Sequence, residues 1–177
     1  MYNKINTKKL VMTALFLTIG MVLPMLTSQI KEIGDTLLPM HIPVLLCGII
    51  CGAGYGAGVG MILPFLRSVT FGMPPLYPNA VWMALELCTY GAVIGSVYKR
   101  IKRDGLARIY ISLVSAMICG RIVWGLTKWL LLGIAGKSFT LALFISGGFV
   151  DALPGIIIQL IIIPIIVNIL EKKKMQQ

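Results

Sequence analysis

Charge is scarce in this sequence. Only 12% of its 177 residues are Asp, Glu, Lys or Arg, against roughly 25% in soluble domains. That is too little polar surface to cover a water-soluble particle, so a bilayer is the natural solvent. Acids are scarcest: six Asp and Glu stand against sixteen Lys and Arg, and there is one histidine. Cys47 and Cys51 would share a helix face, but no His or carboxylate accompanies them, so no metal site is expected. The Gly-rich Walker loop ending in Lys and Ser or Thr is missing, so this chain cannot itself use ATP. Clustered acids or a Ser/His pair, which a membrane-embedded enzyme such as a lipid-modifying transferase would need, are missing too. We therefore expect no enzyme and no cofactor.

What fills the sequence is apolar. Hydrophobic residues make up 58% of it and the mean hydropathy is +0.91. Each crossing helix needs about 20 apolar residues, so the chain holds about six crossings. The expected fold is all-α: one membrane-embedded domain over residues 1–177, with no soluble domain. The four cysteines, Cys47, Cys51, Cys88 and Cys119, lie inside apolar stretches and read as small buried apolar residues.

The net charge of +10 does not point to nucleic acid, because of where it sits. Eleven of the sixteen cations fall in three clusters: Lys4, Lys8 and Lys9; Lys99, Arg100, Lys102, Arg103 and Arg108; and Lys172, Lys173 and Lys174. Apolar stretches separate them, which is the positive-inside pattern of cytoplasmic edges. The N-terminus resembles a signal peptide, but no small-x-small cleavage site follows Leu26, only Thr27-Ser28-Gln29. We read it as a retained first helix.

Six helices are expected, over about 8–26, 40–53, 57–71, 79–98, 106–132 and 150–170, with both termini cytoplasmic. A polar outer loop with Lys31, Glu32 and Asp35 follows the first. Residues 40–71 as one helix would measure about 48 Å, too long for a core of about 30 Å. The run Gly52-Ala-Gly-Tyr-Gly-Ala-Gly-Val-Gly60 is the expected break. Two short helices or a re-entrant hairpin both return the chain outside. Pro74, Pro75 and Pro78 exclude a regular helix in the next outer loop. Residues 133–149, with Gly136, Lys137, Gly147 and Gly148, read as a loop.

Five ionisable groups fall within or near the ends of these helices: Arg67, Glu86, Arg121, Lys128 and Asp151. Each costs roughly 3 kcal/mol at the bilayer centre on insertion scales, and such groups face the bundle or a cavity. Most gather toward the outer half. Helical spacing sets Asn79, Trp82, Met83, Glu86 and Tyr90 on one stripe. Arg121, Trp124, Gly125 and Lys128 form a second, and Asp151, Gly155 and Gln159 a third. Facing one another, these stripes would enclose an outward-facing pocket for a small polar ligand. In the competing reading, Glu86–Arg121 and Asp151–Lys128 are structural ion pairs. Even then Arg67 remains as excess positive charge, which favours an anionic ligand such as a carboxylate. Arg121 is the expected main substrate contact, oriented by Glu86. His41, in Pro39-Met-His-Ile-Pro43 at the outer mouth, is either a ligand contact or a plain hydrogen-bonded residue.

The order of these patterns resembles the S components of energy-coupling factor (ECF) transporters, membrane subunits that capture vitamins. The residues that carry the resemblance begin with Leu38-Pro-Met-His-Ile-Pro-Val-Leu45 running into a Gly-rich hairpin, and with Arg67 before Gly-Met-Pro-Pro. Glu86-Leu-Cys-Thr-Tyr-Gly91, Gly120-Arg121-Ile-Val-Trp124 and Leu153-Pro-Gly155 complete them. The resemblance implies vitamin capture at a bacterial plasma membrane and docking on a transmembrane coupling subunit that carries two ATPases. Pantothenate or nicotinate fits the cationic excess. The family docks through small residues on helix 1, often Ala-x-x-x-Ala. Here Ala14 and Thr18 stand in that register with Gly20 nearby, and Thr18 departs from the pattern while staying small. A membrane-embedded enzyme and a self-sufficient small-solute transporter are the alternatives.

Overall fold

A computed structural model describes residues 6–27, 38–102 and 105–175. Lys4, Lys31, Glu32, Asp35, Arg103 and Gln177 lie outside them. Regular structure in the described residues is entirely helical. Helix α1 spans Thr7–Thr27, α2 His41–Ile50, α3 Ala53–Phe71 and α4 Val81–Arg100. Helix α5 spans Leu106–Ile134, α6 Leu141–Ile145 and α7 Leu153–Met175.

Four stretches are long and apolar enough to cross a membrane: Thr7–Met25, Leu76–Arg100, Leu106–Ile134 and Leu153–Lys172. The other two expected crossings differ in kind. Helix α2 has ten residues, a length of about 15 Å or half a bilayer core. Helix α3 has 19 residues, but its glycines and Arg67 dilute its apolar character and it is not among the four. The stretch 133–149, expected as a loop, contains α6, whose first turn is capped by Thr140 Oγ1 accepting from Leu143 N–H at 3.4 Å. The proline-rich segment behaves as expected. Leu76–Ala80 is an irregular turn with Tyr77 extended, and the regular helix starts only at Val81.

The glycine run breaks the chain at one point, not along its length. Gly52 has φ of 108°, a conformation that costs other residues a Cβ clash. The rest of the run is the start of α3. A Cβ on Gly60 would lie 2.3 Å from the Leu87 carbonyl oxygen, and one on Gly91 would lie 2.2 Å from Gly56 carbonyl carbon. Gly54 and Gly58, on the other face, meet nothing within 4 Å. The missing side chains let α3 and α4 meet backbone to backbone, the close approach by which membrane helices gain van der Waals packing. A Cβ on Gly48 would likewise fall 2.7 Å from the Gly91 carbonyl oxygen, which draws α2 into the same contact. Val44, Leu45 and Cys47 of α2 are fully buried there.

Contacts between elements set the ends of the bundle. Gly95 of α4 packs on Ala53, at the α2–α3 turn. The Tyr98 hydroxyl donates to the Glu171 carboxylate of α7. Arg108 Nε of α5 donates to the Tyr98 carbonyl at 2.8 Å, with its guanidinium 3.9 Å over the Tyr98 ring. The basic ends of α4, α5 and α7 are thus tied together at one end of the bundle. Glu86 and Arg121 sit about 21–22 Å from the basic ends of α4 and α5, past the midpoint of both helices.

Candidate functional site

The site starts from one carboxylate. Glu86 of α4 is 2% exposed and lies in a stretch with no other acid. A bare carboxylate there would be prohibitive, so its surroundings supply cations. Arg121 of α5, 4% exposed, donates from Nη1 to Glu86 Oε1 at 3.0 Å. His41, at the start of α2 and 1% exposed, places Nε2 3.5 Å from the same oxygen. That contact is an ion pair only when the ring is protonated, and it lacks hydrogen-bond geometry, since both His41 nitrogens are without a partner. The Tyr90 ring meets the His41 ring edge to face at 5.0 Å. Gly120 makes room for Tyr90, because a Cβ there would lie 2.8 Å from the ring. Three helices thus converge on one polar cluster inside the bundle.

Arg121 is only partly used by Glu86. Its Nε and Nη2 are buried and make no hydrogen bond. These two donors lie on one edge of the guanidinium plane, the edge that grips a carboxylate through two parallel hydrogen bonds. The Trp124 ring lies beyond, 6.0 Å from the Arg121 guanidinium carbon.

A second cluster adjoins the first. The Lys128 ammonium lies 4.5 Å from the centre of the Trp124 ring, 5.3 Å from Trp82 and 5.6 Å from Phe139, within cation–π range of all three. Phe139 and Phe144 pack on Trp124 at 6.1 and 6.2 Å, and Phe149 stands edge-on to Phe144 at 5.8 Å. Gly125 admits Phe144, since a Cβ there would lie 2.3 Å from its ring. The three phenylalanines recur at five-residue intervals in a stretch that reads as loop, and that spacing was the available signal for them.

The other expected site residues scatter. Asp151 is exposed, and among the described residues it forms no ion pair with Lys128. Of the two ion pairs in the competing reading, only Glu86–Arg121 forms among the described residues. Gln159 lies on the buried stripe of α7 with Gly155 and Ile163, and its Nε2 has no hydrogen-bond partner. Asn79 is half-buried in the turn leading into α4. Arg67 is 6% exposed, and its hydrogen bond goes to α1, where Nη1 donates to the Met21 carbonyl at 2.6 Å. On α1, Ala14 and Thr18 are exposed, with Thr18 Oγ1 donating to the Ala14 carbonyl at 3.0 Å. Gly20 is buried instead: a Cβ there would lie 2.6 Å from Leu63 Cδ2 and 3.3 Å from Pro43. It serves packing inside the bundle, on nearly the opposite side of the helix from Thr18.

Residues 8–167 match the family model for the substrate-specific component of ECF transporters. The chain belongs to that family. No curated protein and no solved structure gives a significant match. As an S component, the protein is a membrane subunit that binds a small substrate and works with an ECF transmembrane subunit and ATPases. This is a transporter family, not an enzyme family. Among the described residues no group of three His, Cys, Asp or Glu side chains could hold a metal ion. In this S component the buried His41–Glu86–Arg121 cluster and the partly exposed aromatic cluster around Lys128 lie side by side, away from the basic end of the bundle.

Proposed function

We propose that this S component captures a small water-soluble vitamin, or related micronutrient, that carries a carboxylate. Pantothenate and nicotinate are the favoured ligands. The observation that carries this reading is the unpartnered Nε–Nη2 edge of Arg121. A buried guanidinium with two free donors on one edge is a poor structural residue and a good carboxylate clamp. Glu86 holds the opposite side of the fork and fixes its plane. Trp124, Trp82 and Phe139 offer apolar surface for the body of the ligand, with Lys128 adding positive charge among them.

The topology we propose has six crossings, with α2 and α3 forming a hairpin, and both termini in the cytoplasm. The three basic clusters then lie at the cytoplasmic face and the Arg121 site in the outer half. Capture takes place on the outer side of a bacterial cell membrane. The exposed Ala14–Thr18 face of α1 docks on the coupling subunit, whose two ATPases supply the energy.

Native mass spectrometry of the ligand that copurifies with the protein tests the substrate, followed by calorimetric titration with that compound. A carboxylate-bearing vitamin is expected. A copurifying ligand with no acidic group would overturn the anionic reading while leaving the family untouched.

A further inference from the structure

Helix α1 is the least embedded of the four long apolar helices. Only 17% of its apolar window is buried, against 28–50% in the other three. Its buried residues among those described form one stripe, Phe16, Gly20 and Pro24, spaced one turn apart. Near the end of that stripe the helix weakens, because Pro24 has no N–H and cannot bond the carbonyl four residues back. A charged side chain from another helix binds α1 there. Arg67 of α3 donates from Nη1 to the Met21 carbonyl at 2.6 Å. The bond spans 46 positions of sequence and is charge-assisted. Met21 lies in the last two turns of α1. The guanidinium is steadied from its own helix by Phe71, 5.3 Å from ring centre. Among the described residues, Arg67 forms no hydrogen bond or ring contact with the His41–Glu86–Arg121 cluster.

We infer that Arg67 is a positioning residue that fastens the outer turns of α1 to α3, and so sets the angle at which α1 meets the coupling subunit. It is not a substrate contact. The inference rests on the docking reading of α1 given above. Arg67 Nε, buried and without a partner, is the feature that would instead suit a ligand, and the experiment separates the two roles.

The test uses the full chain with Arg67→Met and Arg67→Lys. Spin labels are placed at Val22 on α1 and Ile122 on α5, both about half exposed. Three quantities are read: the distance distribution between the labels, affinity for nicotinate and pantothenate by calorimetry, and co-purification and uptake with the coupling subunit and ATPases. Arg67→Met should broaden the distance distribution and cut co-purification and uptake at least about tenfold. It should keep any measurable affinity within about twofold, far less than the loss of a direct charged contact. Arg67→Lys should restore most of the loss, because one ammonium N–H can serve one carbonyl. An unchanged distance distribution in Arg67→Met overturns the proposal, and so does an affinity loss of about tenfold or more. Broadened distances with full uptake in both Arg67→Met and Ala14→Trp would overturn the docking reading instead, and the positioning role with it.

Discussion

Arg121 Nη1 donates to Glu86 Oε1 across 3.0 Å, between two side chains almost sealed from solvent. The pair joins α4 to α5 and leaves one edge of the guanidinium free. If that edge holds the ligand, Arg121→Lys should weaken binding about ten- to a hundredfold, the loss of roughly 1.5–3 kcal/mol in charge-assisted hydrogen bonding. A lysine ammonium has no planar fork to replace it. Glu86→Gln should weaken binding less, because the amide oxygen still accepts from Nη1. Calorimetric titration beside a melting curve checks both. Unchanged affinity in folded Arg121→Lys protein, with only a lower melting temperature, would leave Arg121 a structural residue.

The exposed Ala14–Thr18 face of α1 should tolerate no bulk in the assembled transporter. Ala14→Trp is expected to abolish uptake and co-purification with the coupling subunit while leaving ligand affinity intact. Loss of ligand binding together with uptake would signal misfolding and remove the support for docking.

Glycine substitutions should sort by face. Gly91→Ala and Gly60→Ala place a Cβ 2.2–2.3 Å from backbone atoms of the neighbouring helix. Such overpacking costs about 1–3 kcal/mol or more, because backbone cannot swing aside as a side chain can. Gly58→Ala meets nothing within 4 Å and should be neutral or slightly stabilising. Thermal melts of the three detergent-solubilised variants give the comparison, and equal melting temperatures would refute backbone contact between α3 and α4.

Topology is open to direct labelling. In a background without the four native cysteines, Met73→Cys should react with an impermeant maleimide on intact cells. Met73 is exposed, at the end of α3 remote from the α2–α3 turn. Lys172→Cys should react only after the membrane is opened. Labelling of Lys172→Cys on intact cells would reverse the proposed orientation.

Composition alone assigns this chain to a bilayer, since 12% charge cannot clothe a soluble particle. The sequence by itself determined the long helices, because apolar runs of about 20 residues have few other folds available in lipid. It also singled out Glu86, Arg121, Lys128, Trp82 and Trp124 by cost and by helical spacing. Which of them meet was decided by the tertiary structure. Glu86 and Arg121 were legible as a pair from opposite charge alone, and so, by the same logic, were Asp151 and Lys128. Only the first pair forms, because contact depends on the rotation of each helix about its axis and on which helices are neighbours. Neither quantity is written in a single stretch of sequence. The same reason turns Arg67 toward the Met21 carbonyl and Gly20 into the bundle, away from Thr18. It also makes most of the Gly52–Gly60 run a helix. Glycine signals a break when read locally, but here its missing side chains let α3 lie against α4, and that packing holds the run in a helix after the single turn at Gly52.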